Sequence, residues 1–389
     1  MTSGDDSLRL VFWGTCDLGK PRNRILMQGL RENGVEVIEC HTQVWHDIED
    51  KSRLRRPGAR LRYGWRWFSA YPNLLWRYLR LPKHDLVMVG YLGQFDVLLI
   101  RPLAWLRRVP LVWDTLLSLY DTVVDDRALV SARHPLAYLL YAWEWLALRM
   151  PELILTDTRA HGRFFAERFG VKPTRIVRVL VGAEPRAFMP SARGTRPLPK
   201  SRPYRVLFYG QFIPLHGMDV IARAMHLCAD EDISWDVIGD GQQTEQFRAL
   251  LEHYAPTDLT WTPWVPYETL IRHIHAADLC LGIFGTSDKA ARVIPNKVYQ
   301  VVAAGRALIT ADTPAARELL SPGPGVILVP SGDPEALAQA IREMRQRCPL
   351  AAAAQLAGLA TQITPRIVVR ELVERLPQLC DARRAMVLP

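Results

Sequence analysis

Hydrophobic and polar positions follow one another in a pattern that predicts two α/β domains of similar design. An apolar run, a glycine-containing turn and a helical pattern occur in succession from residue 8, and again from residue 204. Further short apolar runs, separated by helical patterns such as residues 135–150, are typical of buried parallel strands. These runs read DLVMVG, PLVWD and LILTD in the first half, and WDVIGDG, LTWTPW, DLCLGIF, ALITAD and GVILVP in the second.

The chain length and one proline-rich segment divide this pattern. At 389 residues the chain is long enough for two domains. Residues 190–203 contain four prolines and little apolar content, which is typical of a linker. We therefore expect an N-terminal domain over 1–189, with a basic aromatic insertion at 51–83, and a C-terminal domain over 204–364. A last helical stretch, 365–381, is expected to return to the N-terminal domain.

Composition excludes several classes of protein. Hydrophobic residues make up 49% and charged residues 23% of the chain, a profile that fits neither a disordered nor a polytopic membrane protein. The six cysteines are far apart and show no zinc-binding spacing, so we expect reduced thiols and no metal. The first ten residues lack the apolar core of a secretory signal. Residues 135–150 are too few to cross a bilayer, and we expect a cytoplasmic protein without a membrane span.

Positive charge is concentrated in one segment. The net charge is +9, yet residues 51–83 hold ten cations, no acid and seven aromatic residues, so the rest of the chain carries about −1. This combination favours an anionic membrane surface, where polybasic segments and aromatic rings both bind. The membrane candidates are Arg53, Arg55, Arg56, Arg60, Arg62, Trp65, Trp67 and Trp76. A solvated basic surface over ordinary core aromatics is the alternative, and no nucleic-acid-binding motif is present.

The most informative motif, RVIPNKVYQVVAAGRALITAD, covers residues 292–312. Pro295 is suited to the first turn of a helix and Gly305 to its end. Lys297 then lies in the first turn, where a cation opposes the helix dipole unless an anion is bound nearby. Lys289 and Arg292 precede it, and a phosphate group is the ligand that would explain all three cations. Three cations solvated on a loop remain the alternative.

Several blocks of the sequence resemble those of a known family. The blocks YGQFIPLHGMDVIARAM, VIGDGQQ, WVPYETL, AADLCLGIF and IPNKVYQVVAAGRALITADTPAARELL, together with LILTDTRAHGRFFAERFGV, are similar to those of family-four glycosyltransferases of the GT-B fold. The resemblance covers almost the whole chain except the basic segment. It implies two Rossmann-like domains facing a central cleft, and a nucleotide-sugar donor as substrate without a metal cofactor.

The chain departs from this family at the donor site. The family's diphosphate-binding Arg and Lys correspond here to Gln211 and His216, and its two glutamates correspond to Arg292 and Gln300. We interpret the chain as a variant subgroup in which Lys289, Arg292 and Lys297 supply the lost positive charge. Loss of catalysis, which would leave a nucleotide-sugar-binding protein, is the other interpretation.

The resemblance also implies the remaining donor-binding residues. They are Gly14, Gly210, Gly217, Gly239, Gly241, Val265, Pro295 and Asn296. For isolated glycines after strands, a tight turn is the ordinary alternative. Asp114 and Asp121 follow an apolar strand and are the catalytic candidates, expected to orient an acceptor hydroxyl; capping of the next helix is an equal alternative for Asp114. His161 and His216 are weaker candidates.

Together these observations predict a hexosyltransferase that transfers sugar with retention from a nucleoside-diphosphate donor. The expected acceptor is a lipid or lipid-linked glycan at the inner face of the cytoplasmic membrane, because a small soluble acceptor gives no reason for the basic segment. A transferase with a soluble acceptor and a non-catalytic binder of nucleotide sugars are the alternatives.

Overall fold

The structure is a computed structural model that describes residues 7–44, 57–184, 187–188 and 202–385, with only the backbone for 57–63. The chain forms two compact units. Unit 1 comprises Met1–Val181 and Pro365–Pro389, and unit 2 comprises Gly182–Thr364. The boundary therefore falls before the predicted linker, most of which lies outside the described residues.

Unit 1 alternates strands and helices in chain order. Its strands are β1 (Arg9–Gly14), β2 (Glu36–His41), β3 (Leu86–Val89), β4 (Leu111–Asp114), β5 (Leu153–Thr156) and β6 (Ile176–Arg178). Its helices are α1 (Pro21–Glu32), α2 (Pro57–Leu79), α3 (Asp96–Leu106), α4 (Pro135–Ala147), α5 (Arg159–Phe169), α13 (Pro365–Val368) and α14 (Arg370–Ala385), and a π-helical turn spans Asp121–Asp126.

The sheet of unit 1 is parallel throughout, with strand order β2-β1-β3-β4-β5-β6. The crossovers through α2, α3, α4 and α5 all run in one direction along this order, so the right-handed rule places these helices on one face. They share a single apolar core there. The crossover through α1 runs in the opposite direction, which places α1 on the other face.

Helix α2 lies within the basic aromatic segment 51–83. Its residues Pro57–Leu79 form the crossover helix between β2 and β3. Tyr71, Leu74 and Tyr78 lie three and four residues apart and are buried in the core of unit 1. The segment therefore combines an inner stripe that the fold requires with an outer basic and aromatic surface.

Unit 2 repeats the design. Its strands are β7 (Tyr204–Tyr209), β8 (Ile233–Ile238), β9 (Leu259–Thr262), β10 (Leu279–Leu281), β11 (Ala307–Ala311) and β12 (Val326–Val329). Its helices are α6 (Met218–Leu227), α7 (Thr244–Tyr254), α8 (Tyr267–Ala276), α9 (Asp288–Arg292), α10 (Asn296–Ala303), α11 (Pro334–Gln346) and α12 (Pro349–Gln362). The strand order is β12-β11-β10-β7-β8-β9, again all parallel.

Helix α10 has the predicted ends. Pro295 precedes its first residue as the N-cap, and Gly305 follows it with φ +65°. The amides of Gly305 and Arg306 donate to the carbonyls of Val302 and Val301 at 3.0 and 3.1 Å. These two bonds form a Schellman motif, which glycine favours because it adopts positive φ without strain.

The last part of the chain packs in unit 1, but not as one continuous helix. Helices α13 and α14 are separated at Val369, which is fully buried. At Gly29 of α1, an added Cβ would lie 2.2 Å from the carbonyl oxygen of Pro365 and 2.9 Å from Val369. Helix α13 thus packs closely against α1, and the backbone turns at Val369 before α14 begins.

Candidate functional site

The carboxyl edge of the sheet in unit 2 collects most of the predicted donor-binding residues. Parallel strands end at the same edge, and in open α/β sheets that edge is where ligands bind. The turns after β7, β8 and β9 and the N-terminus of α10 therefore belong to one region. They contribute Gly210, Gln211, His216, Gly217, Gly239, Gly241, Val265, Asn296 and Lys297.

Lys297 is the buried cation of this edge. Its side chain is about 5% exposed and lies in the first turn of α10. The Nζ atom lies 3.8 Å from the centre of the Phe208 ring and 3.4 Å from the carbonyl oxygen of Gly282. Within the described residues no carboxylate pairs with it. Burial therefore lowers the pKa of Lys297 well below its usual value, because the charged form has lost its water.

The turn after β7 lies directly against this ammonium group. A Cβ placed on Gly210 would be 3.0 Å from Nζ of Lys297 and 2.9 Å from the ring of His216. Gly210 also has φ +146°, in the region that favours glycine. The glycine therefore leaves space between the backbone, the ammonium and the imidazole.

Gln211 and His216 occupy the positions of the expected diphosphate clamp, and they behave differently. The side chain of Gln211 is exposed, whereas His216 is buried. Nδ1 of His216 donates a hydrogen bond to the main-chain oxygen of Gln211. This bond fixes the ring across the turn, with its other edge close to Gly210.

The glycines after β8 have a structural reason that the sequence alone left open. An added Cβ on Gly239 would lie 2.0 Å from the carbonyl oxygen of Gly210, and one on Gly241 would lie 2.7 Å from the backbone of Phe212. Both glycines thus allow two loops to pack backbone against backbone. This explains them without a ligand, so their donor-binding role stays a prediction.

Gln300 connects α10 to the end of β7. It is about 9% exposed, and its Oε1 accepts a hydrogen bond from the hydroxyl of Tyr209 at 2.9 Å. Tyr209 is itself buried, and burial raises its pKa well above the usual value, so it remains a donor at neutral pH. The structure thus gives Gln300 a packing role in addition to the predicted donor contact.

Lys289 and Arg292 lie on the short helix α9, just before α10. Ser287 caps this helix by accepting a hydrogen bond from the amide of Ala290 at 3.2 Å. Lys289 is buried and Arg292 is partly exposed. The structure places both on the segment that leads into Lys297, and their shared contact with a phosphate stays a prediction.

In unit 1, Asp114 forms an ion pair that the sequence analysis did not anticipate. Both of its oxygens accept hydrogen bonds from the guanidinium of Arg22, at 2.9 and 3.0 Å. Arg22 also donates to the main-chain oxygens of Val179 and Leu180 at 2.6 and 2.9 Å. Both charged side chains are almost fully buried. The pair ties β4 to α1, and the predicted contact of Asp114 with an acceptor hydroxyl stays a prediction.

Asp96, which the sequence analysis missed, organises the first turn of unit 1. Gly14 has φ +122°, and an added Cβ there would lie 2.5 Å from an oxygen of Asp96. The carboxylate accepts hydrogen bonds from the amide of Thr15 at 2.8 Å and from the hydroxyl of Tyr71 at 2.6 Å. Trp67 donates to Thr15 Oγ1 at 2.9 Å, so α2 holds this turn directly.

Glu144 plays the same part for the loop after β4. It is fully buried in α4 and accepts hydrogen bonds from the amides of Leu119 and Tyr120 and from the hydroxyl of Ser118. Burial raises its pKa to about 7. Asp121, the second catalytic candidate, is buried at the end of this loop, where its amide donates to Ser118 Oγ. The side chain of Glu144 thus fixes the loop that leads to Asp121 through three hydrogen bonds.

His161 forms a buried pair with Asp157, whose Oδ1 lies 2.7 Å from Nδ1. The amide of His161 donates to Thr158 Oγ1, which caps α5. The pair is therefore part of the N-terminus of α5. In the part of the chain that the structure describes, no group of three His, Cys, Asp or Glu side chains is arranged to hold a metal ion.

Comparisons with known proteins bear on this geometry. Residues 203–347, which make up most of unit 2, match the family model described as Glycosyl transferases group 1. No relative is found among curated protein sequences. Unit 2 carries a glycosyltransferase domain.

Solved structures extend the likeness to the whole chain. Sucrose-phosphate synthase from Thermosynechococcus elongatus is similar with a TM-score of 0.69 at 14% identity, over 96% of this chain and 100% of that one. HepE from Anabaena, solved in complex with UDP-glucose, is similar with a TM-score of 0.63 at 14% identity, over 97% and 99%. A glycosyltransferase from Rickettsia africae has a TM-score of 0.62 at 11% identity, over 96% and 99%. At these identities the likeness establishes the GT-B fold.

The expected GT-B fold is thereby confirmed, and the family match of residues 203–347 confirms the expected glycosyltransferase class. The departures at Gln211, His216, Arg292 and Gln300 are not resolved by this likeness, so the donor-site assignments stay predictions.

Proposed function

We propose that the protein transfers a sugar from a nucleoside-diphosphate sugar onto a lipid or lipid-linked glycan, with retention of the anomeric configuration. In this proposal, unit 2 binds the donor at the carboxyl edge of its sheet, and unit 1 receives the acceptor at the cytoplasmic face of a membrane. The first half of the proposal is supported by the site around Lys297 and the second by the outer surface of α2.

Donor binding is supported by the buried side chain of Lys297, to which the described part of the chain supplies no carboxylate partner. Removing a cation from water costs several kcal/mol unless a counter-charge is supplied. Gly210 and His216 border the same space, and the N-terminus of α10 adds its own preference for anions. A donor diphosphate placed there would restore the charged form of Lys297 and accept its hydrogen bonds.

Positioning and charge stabilisation then suffice for the chemistry. As the bond between the anomeric carbon and the diphosphate breaks, negative charge develops on the leaving phosphate, and a nearby ammonium stabilises it. Lys289 and Arg292 would add positive charge from α9. The donor phosphate itself can take the proton of the attacking hydroxyl, so no side chain of unit 1 needs to act as the base.

Release of nucleoside diphosphate from a panel of UDP-, GDP- and ADP-sugars tests this function. With a lipid extract as acceptor, we expect release with one donor class and a retained anomeric configuration in the product by NMR. Lys297→Met should lower turnover roughly ten- to a hundredfold, the value of one charge-assisted hydrogen bond. Lys172→Met, an exposed lysine of unit 1, is the matched control. Absence of release with every donor, while UDP still binds, would favour a non-catalytic binder.

The acceptor class is supported by α2. Its outer side exposes Trp65, Phe68 and Trp76, and Arg66 is exposed between the first two. Arg60 and Arg62 lie on the same helix with undescribed side chains, and Arg53, Arg55 and Arg56 lie outside the described residues. None of the described helices combines the length and apolar content needed to cross a membrane. A reversible, charge-driven attachment is what we propose for this protein.

Vesicle flotation tests this attachment. The protein should float with anionic vesicles at low salt and less so as salt rises, since the Debye length shrinks to about 3 Å near 1 M. Replacing Arg53, Arg55, Arg56, Arg60 and Arg62 by Ser should weaken binding. If the protein ignores anionic vesicles at low salt, a soluble acceptor becomes the better hypothesis.

A further inference from the structure

The apolar surface of unit 1 extends well beyond α2. Large hydrophobic side chains on α3 and α4 are exposed as well, Trp105 at 64% and Leu139 at 63%. We call the whole set the outer apolar face. Its members are Trp65, Phe68, Trp76, Leu79, Trp105, Leu106, Leu136, Tyr138, Leu139, Trp145 and Leu146. Exposed apolar residues occur singly on most proteins, but a set of this size on three neighbouring helices points to a binding surface.

The three helices are neighbours on one side of the sheet. Phe95, just before α3, contacts Phe68 of α2 at 5.6 Å between ring centres and stacks on Trp143 of α4 at 5.8 Å. Arg107, after α3, donates to the main-chain oxygens of Leu79 and Leu81 at 2.7 and 3.0 Å, which joins the ends of α2 and α3. The outer apolar face is therefore shared by adjoining helices.

The charges of these helices identify the partner. Among the residues of α2, α3 and α4 there are only two acids, Asp96 and Glu144, and both side chains point into the core with 2% and 0% exposure. Of the cations on these helices or just after them, Arg66, Arg80, Lys83 and Arg108 are exposed, and Arg77, Arg107 and Arg149 are partly exposed. Asp85 and Glu152, the acids just beyond the helices, are partly exposed and paired with Arg384 at 2.8 Å and Arg101 at 2.6 Å. Helices with exposed apolar residues, neighbouring cations and no exposed acid of their own are complementary to an anionic bilayer, and they offer little to the cations of a partner protein.

Cations and indole rings are also paired on this surface. The guanidinium of Arg80 lies 3.6 Å from the centre of the Trp76 ring, and that of Arg149 lies 3.4 Å from the centre of the Trp145 ring. Tryptophan and arginine both favour the headgroup region, where an apolar body meets a polar layer. Each pair thus has the composition expected at the level of lipid headgroups.

Helix α4 is the most apolar of the three. Its 13 residues contain no cation, and they extend only about 20 Å at 1.5 Å per residue. That is too short to cross a bilayer and is suited to lying in its surface. Helix α4, Pro135–Ala147, lies within the apolar stretch 135–150 of the sequence and is partly core and partly exposed.

We propose that the outer faces of α2, α3 and α4 form one membrane-docking surface, with Leu136, Tyr138, Leu139, Trp145 and Leu146 of α4 inserted among the headgroups of an anionic bilayer. This inference rests on the membrane part of the proposed function and deepens it. It differs in its consequence, because inserted side chains give binding a component that salt does not remove.

A single labelled cysteine tests the insertion. The protein has six cysteines, five of them buried, and Cys348 is exposed. In a Cys348→Ser background, Leu139→Cys carries an environment-sensitive fluorophore, and Leu350→Cys in unit 2 is the control with similar exposure, 59%. With vesicles of phosphatidylcholine and phosphatidylglycerol, we expect a blue shift at position 139 that lipids carrying a spin label quench, and no shift at position 350.

A substitution set tests the energetics. Leu136→Ser, Leu139→Ser and Leu146→Ser together should weaken vesicle binding at least tenfold at 0.5 M salt, whereas Leu227→Ser with Leu350→Ser should leave it unchanged. A vesicle-bound protein whose probe at position 139 stays in water would overturn the inference. So would a dimer that these serine substitutions dissociate in the absence of lipid, since the face would then be a protein interface. Nucleoside diphosphate release is measured separately, so failure of donor chemistry is distinguishable from failure of docking.

Discussion

The guanidinium of Arg22 and the carboxylate of Asp114 meet in parallel, with two nitrogen–oxygen distances of 2.9 and 3.0 Å, at the carboxyl edge of the sheet in unit 1. They are 92 residues apart in sequence and almost fully buried. Asp114 ends β4 and Arg22 belongs to the first turn of α1, so the pair joins the sheet to the helix on one of its faces. In the ligand-free protein, Asp114 therefore has a structural role that does not depend on substrate.

We predict that Asp114→Asn destabilises unit 1 rather than removing turnover from a folded protein. Loss of one partner leaves the other charge buried without compensation, which costs about 3–5 kcal/mol. Arg22→Met should be similar, and Arg22→Met with Asp114→Leu should recover most of the loss. Urea unfolding of the three variants measures this. An Asp114→Asn protein that is as stable as the wild type but has impaired turnover would contradict this prediction and support the predicted contact of Asp114 with the acceptor.

For Lys297 we predict opposite effects on stability and function. The pKa of this lysine is lowered in the folded protein, so the unfolded chain binds more protons below its usual pKa of about 10.4. Stability therefore falls as pH decreases through that window, and the cost is present at neutral pH. Lys297→Met should raise the free energy of unfolding of the ligand-free protein by about 1–4 kcal/mol. Its unfolding temperature should rise by a few degrees accordingly.

The measurement is a pair of thermal scans at pH 7, with and without UDP. Wild-type protein should gain stability from UDP, whereas Lys297→Met should start higher and gain much less. Lys172→Met should follow the wild type in both scans. A Lys297→Met protein that is less stable than the wild type without ligand would show that the ammonium already has a favourable partner in the fold.

Glu144 leads to a pH prediction with the opposite sign. Its pKa is raised from 4.5 to about 7 by burial, so the folded protein binds the extra proton between these values. Its contribution to stability is then present at low pH and is lost as pH rises from about 5 to 7, by an amount on the order of 3 kcal/mol. We expect Glu144→Gln to flatten this part of the pH dependence.

Hydrogen exchange of peptides from α4 and from the loop at residues 118–120 measures this effect locally. Between pH 5 and pH 8, after correction for intrinsic exchange, wild-type protection should fall and that of Glu144→Gln should change less. Asp96, whose pKa burial raises to about 6, is retained in both proteins and cancels in the comparison. Identical pH profiles for the two proteins would contradict the assignment.

The fold was accessible from the sequence because its signals are local. Apolar runs of four to six residues marked the strands, and Pro295 and Gly305 marked the ends of α10. The donor edge of unit 2 followed from the same signals, since parallel strands must end together. The strand order then brought residues distant in sequence, such as Gly210 and Lys297, within contact.

The partners of the buried acids could not be predicted from such local signals. Arg22 and Asp114 meet only because β1 and β4 both flank β3 in the sheet, which no local pattern reveals. Asp96 and Glu144 did carry a signal, because each is the one acid of a strongly apolar helix. Such an acid indicates a buried carboxylate with partners elsewhere. The basic segment was interpreted as an insertion of the N-terminal domain, and its charge obscured the helical spacing of Tyr71, Leu74 and Tyr78 that makes α2 a crossover helix.

Trp65 and Trp67 provide a matched pair for separating the two roles of α2. They are two residues apart, so they point to different sides of the helix. Trp65 is 77% exposed, whereas Trp67 contacts Phe68, Tyr71 and Phe95 and donates to Thr15 Oγ1. Trp67→Ala should therefore destabilise unit 1 by about 1–3 kcal/mol, through lost packing and a lost hydrogen bond. Trp65→Ala should change stability by less than about 0.5 kcal/mol and weaken binding to anionic vesicles severalfold.

Urea unfolding and vesicle flotation of the same two variants test the two roles of α2 separately. If Trp65→Ala floats as well as the wild type at every salt concentration, the indole of Trp65 does not contact the bilayer. If Trp67→Ala is as stable as the wild type, the contact between α2 and the turn at Thr15 does not stabilise unit 1.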